Sequence, residues 1–197
     1  MANNDTPSGF RPIGKLGGNP NNGSASEYSL VGTEASGIWQ GDPVMQQASN
    51  TGYVDIAPAG EDEIIGVAWG IKYDDPTTNK PTFKNYKPAS NLAVGTGAAN
   101  YRALTIFVYD DPYQVYDVQG DAGSAVTDVF KNCDMITSAA GSTTNGCSIM
   151  ELDSANVATG TASFKIVGIS NDPQNSTVGS NNLNYKVIIL ENGLTSA

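Results

Sequence analysis

The sequence predicts an all-β protein: a barrel or sandwich of short antiparallel strands, with one short helix and an extended N-terminal arm. Three observations carry this. Short apolar or alternating runs recur along most of the 197 residues. Gly, Asn, Asp and Pro bound almost every run, as turns require. Only one stretch has its apolar residues at helical spacing. The length suits one large all-β domain or two small ones, and either can bury a core without disulfide staples.

The elements follow in order. Residues 1–26 read as the arm, because Pro7, Pro12, Gly17, Gly18, Pro20 and Gly23 interrupt any periodicity, and 27–197 read as the β-rich domain. Within the arm Phe10, Arg11, Ile13 and Leu16 are the candidate partner-binding residues. Their spacing lets an arm order on a neighbouring subunit, and a loose terminus is the alternative. Strand candidates lie at 28–31, 37–40, 43–48, 53–57 and 64–73. In the last, Val67, Trp69, Ile71 and Tyr73 alternate as one face of a half-buried strand does, and Gly66 and Gly70 mark a bulge or bend. A continuous apolar run at 103–109 and an alternating one at 113–118 flank Asp110-Asp111-Pro112, which predicts two antiparallel strands around that break. The helix is expected at 122–131, with Ala125, Val126, Val129 and Phe130 on one face and Ser124 as its cap. Further strands fall at 147–152, 162–170 and 185–190, and an internal division at 81–100 is a weaker expectation.

Composition narrows the function. The chain has no histidine, so Ser-His-Asp and Cys-His schemes and the commonest metal ligand are excluded together. Its net charge of −10 opposes attraction to nucleic acid or to an anionic membrane. Charged residues are only 15 %, so the surface polarity comes from Asn, Ser, Thr and Gly. Such a surface suits extensive contact with neighbours or life outside a cell. No long apolar segment is present and the first residues lack a signal-peptide pattern, which predicts folding in the cytosol. Cys133 and Cys147 are then expected as free thiols rather than a bridge.

Carboxylates are the remaining chemistry. Asp74-Asp75-Pro76, Asp110-Asp111-Pro112 and Asp172-Pro173 either form turns or, with Asp117, Asp121 and Asp128 near the second, bind calcium. None follows the spaced calcium-loop pattern, so turns are expected and no cofactor or metal is assigned. A carboxylate pair can hydrolyse glycosides without histidine, but nothing singles out a pair, and Trp39 and Trp69 are expected in the core. No phosphate-binding glycine motif precedes a helix. No catalytic residue is assigned and the chain is expected not to be an enzyme.

An ordered string of motifs adds a resemblance. Ile38-Trp39-Gln40-Gly41-Asp42-Pro43-Val44, then Gly60-Glu61-Asp62-Glu63-Ile64-Ile65-Gly66-Val67, then Tyr109-Asp110-Asp111-Pro112 on to Val118-Gln119, resembles the capsid cement or head decoration proteins of tailed bacteriophages. The likeness continues through Gly146, Ser148, Leu152-Asp153 and Lys165-Ile166 to Asp172-Pro173 and Asn175, over residues 28–191. The order of the motifs carries it. The resemblance implies a β-rich virion protein, made in the bacterial cytoplasm, that sits as a homo-oligomer, a trimer rather than a dimer, on the outside of the shell. Its partner would be the major capsid protein, whose subunits it clamps against the pressure of packaged DNA. Gly41-Asp42-Pro43 would be a turn entering a strand and Asp111-Pro112 a hairpin break. Alternative readings are a tail or neck component, a glycan- or host-surface-binding module, and a carboxylate glycosidase.

Overall fold

The computed structural model describes residues 2–18, 20, 23–31, 36–48, 52–60, 63–75, 78–89, 104–136 and 141–195. Its strands, in chain order, are β1 (Arg11–Lys15), β2 (Ser26–Ser29), β3 (Ile38–Trp39), β4 (Pro43–Gln46), β5 (Val54–Ile56), β6 (Ile64–Asp74), β7 (Pro81–Lys84), β8 (Tyr86–Lys87), β9 (Leu104–Tyr109), β10 (Gln114–Gln119), β11 (Asn132–Cys133), β12 (Met135–Ile136), β13 (Glu151–Leu152), β14 (Phe164–Ile169) and β15 (Asn184–Ile189). One five-stranded sheet has the order β1-β10-β15-β14-β11, and a six-stranded sheet has the order β2-β9-β6-β4-β5 with β7 also on β6. Both end in unpaired edge strands, so the architecture is an open sandwich rather than a closed barrel. Every strand pairing is antiparallel. Two short ribbons, β3-β8 and β12-β13, complete it.

Two apolar clusters hold the layers. Between the sheets, Phe10, Ile64, Val67, Tyr116, Phe164 and Tyr185 pack with their neighbours. On the far face of the six-stranded sheet, Ile38, Val44, Ile71, Tyr73, Leu104 and Ile106 form the second. The longer sheet is thus apolar on both sides and needs two covers, which is why β6 and β9 read as nearly continuous apolar runs. The expected internal division at 81–100 falls in large part outside the described residues.

Two expected connections are different. β9 and β10 do not pair with each other, because β9 joins β2 and β6 while β10 joins β1 and β15. The Asp110-Asp111-Pro112 break therefore carries the chain from one layer to the other, and Tyr116 Oη donates to Tyr109 O across it at 2.9 Å. The helix expected at 122–131 is only a single 3₁₀ turn, Val126–Asp128. Its would-be buried residues Val126 and Phe130 are exposed, and Phe130 has a left-handed φ of 73° that ends any helix. Ser124 Oγ donates to Ser180 O at 2.9 Å, and the Asp128 carboxylate accepts from Ala125 N at 2.7 Å.

The N-terminal segment is extended, as expected, but it lies on its own domain. Asn3 Nδ2 donates to Thr177 O at 3.1 Å and Asn181 O at 2.9 Å, and Thr177 N donates back to Asn3 Oδ1 at 3.0 Å. Asn4 exchanges bonds with the Asn175 amide at 2.8 and 3.0 Å, and Gln119 Nε2 donates to Asn4 O at 2.9 Å. Phe10 is 1 % exposed, stacked on Phe164 at 4.5 Å and set edge-on to Tyr116 at 6.5 Å. Phe10 thus packs in the core of its own chain together with residues of the β-rich domain. Arg11 is spent on Asp117 at 3.0 Å. Ile13 and Leu16 remain exposed on the edge strand.

Phe10→Ala is expected to lower stability by about 3–5 kcal/mol, the range for emptying a buried aromatic site. Ile13→Ser should change it by less than about 0.5 kcal/mol. Thermal and urea unfolding of the two variants measures the difference, and equal effects would contradict the docked position of the segment.

Candidate functional site: an aromatic platform at a bulge

The site begins with the backbone of β6. Across β4, Val44 faces Gly66 while Met45 faces Ile64, so Ile65 is an extra residue. Across β9, Ala68 faces Val108 while Gly70 faces Phe107, so Trp69 is another. Each bulge slips the alternation by one residue, which re-aims every side chain beyond it. The expected single face of Val67, Trp69, Ile71 and Tyr73 is thereby split. Val67 goes to the core between the sheets, Ile71 and Tyr73 go to the second cluster, and Trp69, on the face of Val67, is left at 46 % exposure. Trp39 matches expectation at 4 % exposure, stacked on Tyr86 at 6.3 Å. The flanking glycines are required by close approach. A Cβ on Gly66 would lie 2.3 Å from Tyr109 O, and one on Gly70 2.9 Å from Lys84 O.

Around Trp69 the outer part of this sheet face is left uncovered by the opposing sheet. The Trp69 ring meets Phe107 edge-on at 5.7 Å and Tyr109 at 6.5 Å, and Phe107 stacks on Phe83 at 6.4 Å. Phe83 is directly opposite Lys72 in the β6-β7 register, and the Lys72 ammonium lies 5.8 Å above its ring. Cavities flank Trp69 on two sides. One, of about 320 Å³, is lined by Gln40, Trp69, Phe83, Asn85 and Phe107 among others. The second, of about 280 Å³, is lined by Ser8, Arg11, Pro12, Gln40, Trp69 and Tyr109 among others. Gln40 and Trp69 line both, so the two cavities adjoin at these residues and together form the candidate groove.

The turn beneath the groove is Gly41-Asp42-Pro43, which enters β4 as expected. The Asp42 carboxylate accepts from Trp39 N at 2.7 Å, and Asp42 N donates to Trp39 O at 3.0 Å. Burial pushes the Asp42 carboxyl up to about 6, against the opposing pull of its hydrogen bonds from Ser148 and Trp39. Glu151 is pushed up to about 7, first by burial and then by the charges of Asp5 and Asp121.

The carboxylate candidates for metal binding are separated and occupied. Asp117 takes Arg11 at 3.0 Å, Asn184 Nδ2 at 2.9 Å and the Ser170 hydroxyl. Asp121 takes Ser154 N at 2.9 Å, and Asp128 takes Lys131 at 3.3 Å. Asp75, Asp111 and Asp172 each accept a backbone N–H two or three residues on, at 2.9, 2.8 and 2.9 Å, which is the turn role. A hydrogen bond from Lys15 and another from Tyr113 N hold the Asp111 carboxyl below the usual carboxylate range. Among the described residues no three His, Cys, Asp or Glu side chains are grouped to hold a metal ion. Glu61 and Asp62 lie outside the described residues. Both cysteines are free, Cys133 in the core and Cys147 half-buried. No helix among the described residues is long and apolar enough to cross a membrane.

Comparison of the chain with protein-family models, with characterised proteins and with solved structures finds no match. The site therefore has to be read from its own chemistry. Of its members, Phe10 and Arg11 are among the residues the sequence offers as partner-binding candidates, and Gln40, Trp69, Phe83 and Phe107 are not. A Trp inside a strand pattern is expected in the core; Trp69 lies on the same face as Tyr109, at a place where the opposing sheet gives it no cover. Gln40, Phe83 and Phe107 come together only through sheet pairing, for which the sequence holds no local sign.

Trp39 and Trp69 make intrinsic fluorescence a direct check. Trp69→Phe is expected to remove the red-shifted, acrylamide-quenchable part of the emission and to cost less than about 1 kcal/mol of stability. Trp39→Phe should remove the blue-shifted part. The carboxyl shifts fix a second expectation. Asp42 and Glu151 bind protons more tightly folded than unfolded, so their contribution is full at low pH and is lost as pH rises through about 6 and 7. Stability measured by urea unfolding should fall between pH 5 and pH 8. Asp42→Asn, which keeps an acceptor for Trp39 N, should flatten that slope, and an unchanged slope would contradict it.

Proposed function

We propose that this chain is a structural, non-enzymatic virion protein that binds the outside of a tailed-phage capsid shell and stabilises it. One structural observation carries the reading beside the motif order: an exposed apolar edge at the outer strand of the five-stranded sheet. Ile13 is 45 % and Tyr113 64 % exposed, with Leu16 beside them, and Leu16 N donates to Tyr113 O at 2.9 Å. In β1, Pro12 faces Tyr116 while Gly14 faces Val115, so Ile13 is itself a bulge residue pushed outward.

A proline and a bulge on an edge strand discourage the addition of a foreign strand. A partner therefore meets side chains on this edge rather than open backbone. The major capsid protein is the proposed partner, and a homo-oligomer, a trimer rather than a dimer, is the proposed working form. Repetition by symmetry lets a modest apolar contact per copy add up over a shell, and binding to the folded form alone raises stability by mass action.

The experiment is co-sedimentation with mature heads stripped of the protein. The wild type is expected to saturate at an icosahedral multiple of copies and to protect heads from heat. A triple variant, Ile13→Ser, Leu16→Ser, Tyr113→Ser, should bind at least about tenfold more weakly while unfolding at a similar temperature. Full occupancy by the triple variant would move the contact elsewhere, and no wild-type binding to heads would end the capsid reading.

A further inference from the structure

We infer that the groove astride Trp69 is a saccharide-binding site, and that its ligand is a chain of pyranose sugars bearing carboxylate or phosphate groups. Four observations lead there. The first is the platform: Trp69 is half-exposed on a rigid central strand, braced edge-on by Phe107, which is itself stacked on Phe83. An aromatic face of this kind accepts the C–H face of a pyranose, and a brace from below keeps the ordering cost of binding small. The second is shape. A cavity of about 320 Å³ on one side of the indole and about 280 Å³ on the other place the ring between subsites, each near the lower end of small-ligand pockets. Consecutive sugars of a chain fit that arrangement, with one stacked on Trp69.

The third observation is an unpartnered amide. Gln40 lines both cavities, its backbone is fixed by bonds to Gly146 O at 3.1 Å and from Ser148 N at 2.8 Å, and its side-chain amide makes no hydrogen bond among the described residues. An amide offers donors and an acceptor together, which suits a pair of neighbouring hydroxyls. Asn85 flanks the first cavity and is held by its Nδ2 bond to Asn145 O at 2.6 Å. The fourth is charge. In a chain with 20 acidic and 10 basic residues, Lys84 lines the first cavity, and Arg11, half-exposed although paired with Asp117, lines the second. Lys72 stands over Phe83 beside them. No carboxylate lines either cavity among the described residues. Locally reversed charge of this kind favours an anionic ligand.

A second copy of this chain is the competing occupant, since it too would bring an acidic, polar surface, and the test below separates the two. The groove takes Arg11 and Pro12 from β1 but none of Ile13, Leu16 and Tyr113, so the variants of the capsid reading and those of the groove test the two separately.

The test is a titration of the full chain with a polyuronate hexasaccharide from alginate, with maltohexaose as neutral control, read by Trp emission and by calorimetry. The acidic probe is expected to change the emission saturably, and Trp69→Ala to raise Kd at least about tenfold. Gln40→Ala should weaken binding without altering the unfolding temperature. Lys72→Gln should weaken it about threefold at low salt and hardly at high salt. Equal affinity for the neutral probe would overturn the acidic assignment. Absence of saturation up to about 10 mM, or binding untouched by Trp69→Ala, would overturn the site. Self-association abolished by Trp69→Ala would overturn it in favour of a second copy. Head binding by Trp69→Ala should stay at the wild-type level.

Discussion

The phase of strand β6 is the constraint on which the rest of the molecule depends. It is the longest strand, it pairs with β4, β7 and β9, and both apolar clusters draw residues from it. Two extra residues, Ile65 and Trp69, reset its alternation so that one strand can feed the core between the sheets and then the cluster on the far face. A strictly alternating β6 would send Ile71 and Tyr73 to the open face and leave the second cluster without its centre. Trp69 stays on the face of Val67 and Tyr109, beyond the cover of the opposing sheet, and is left in solvent.

The N-terminal segment shows how a polar, Gly- and Pro-rich stretch can be ordered without much apolar burial. Backbone groups of Asn4 and Thr6 are answered by the side-chain amides of Asn175 and Gln119, and the Asn3 amide donates to the carbonyls of Thr177 and Asn181. One large apolar residue, Phe10, then enters the core and leads directly into β1. The segment supplies an edge strand for the five-stranded sheet, and that edge carries Ile13 and Leu16 outward. Ordering on its own domain thus changes the meaning of the segment: it is a built surface of the protein rather than a free tether.

Much of the architecture was legible because turns are local chemistry. Asp42, Asp111 and Asp172 sit where their side chains can take nearby N–H groups, and β4, β9, β10, β14 and β15 follow from apolar runs between such turns. The helix failed because, of the residues at helical spacing, Val129 packs on the core while Val126 and Phe130 face solvent, and local hydrogen bonds of Ser124 and Asp128 hold another shape. The β9-β10 hairpin failed because the sequence does not say whether a break returns to the same sheet or crosses to the other. Phe10 was legible as an anchor, but not as an anchor for its own chain. The faces of Ile71 and Tyr73 were hidden by the bulge, which leaves no mark except glycines that pack too closely to carry a Cβ, and the exposure of Trp69 depends on how far the opposing sheet extends, which no local pattern states.

Together these features describe a body with two exposed surfaces that adjoin at Arg11 and Pro12: an apolar edge at Ile13, Leu16 and Tyr113, and an aromatic groove on β6. The proposed reading gives the first to the capsid shell and leaves the second free for a sugar chain. Cryo-electron microscopy of virions carrying this protein tests that arrangement most directly. The account predicts density for the sandwich on the outer shell, with Ile13, Leu16 and Tyr113 against capsid subunits and the Trp69 groove open to solvent. Density that buries Trp69 against the shell, or heads that carry no such density, would contradict it.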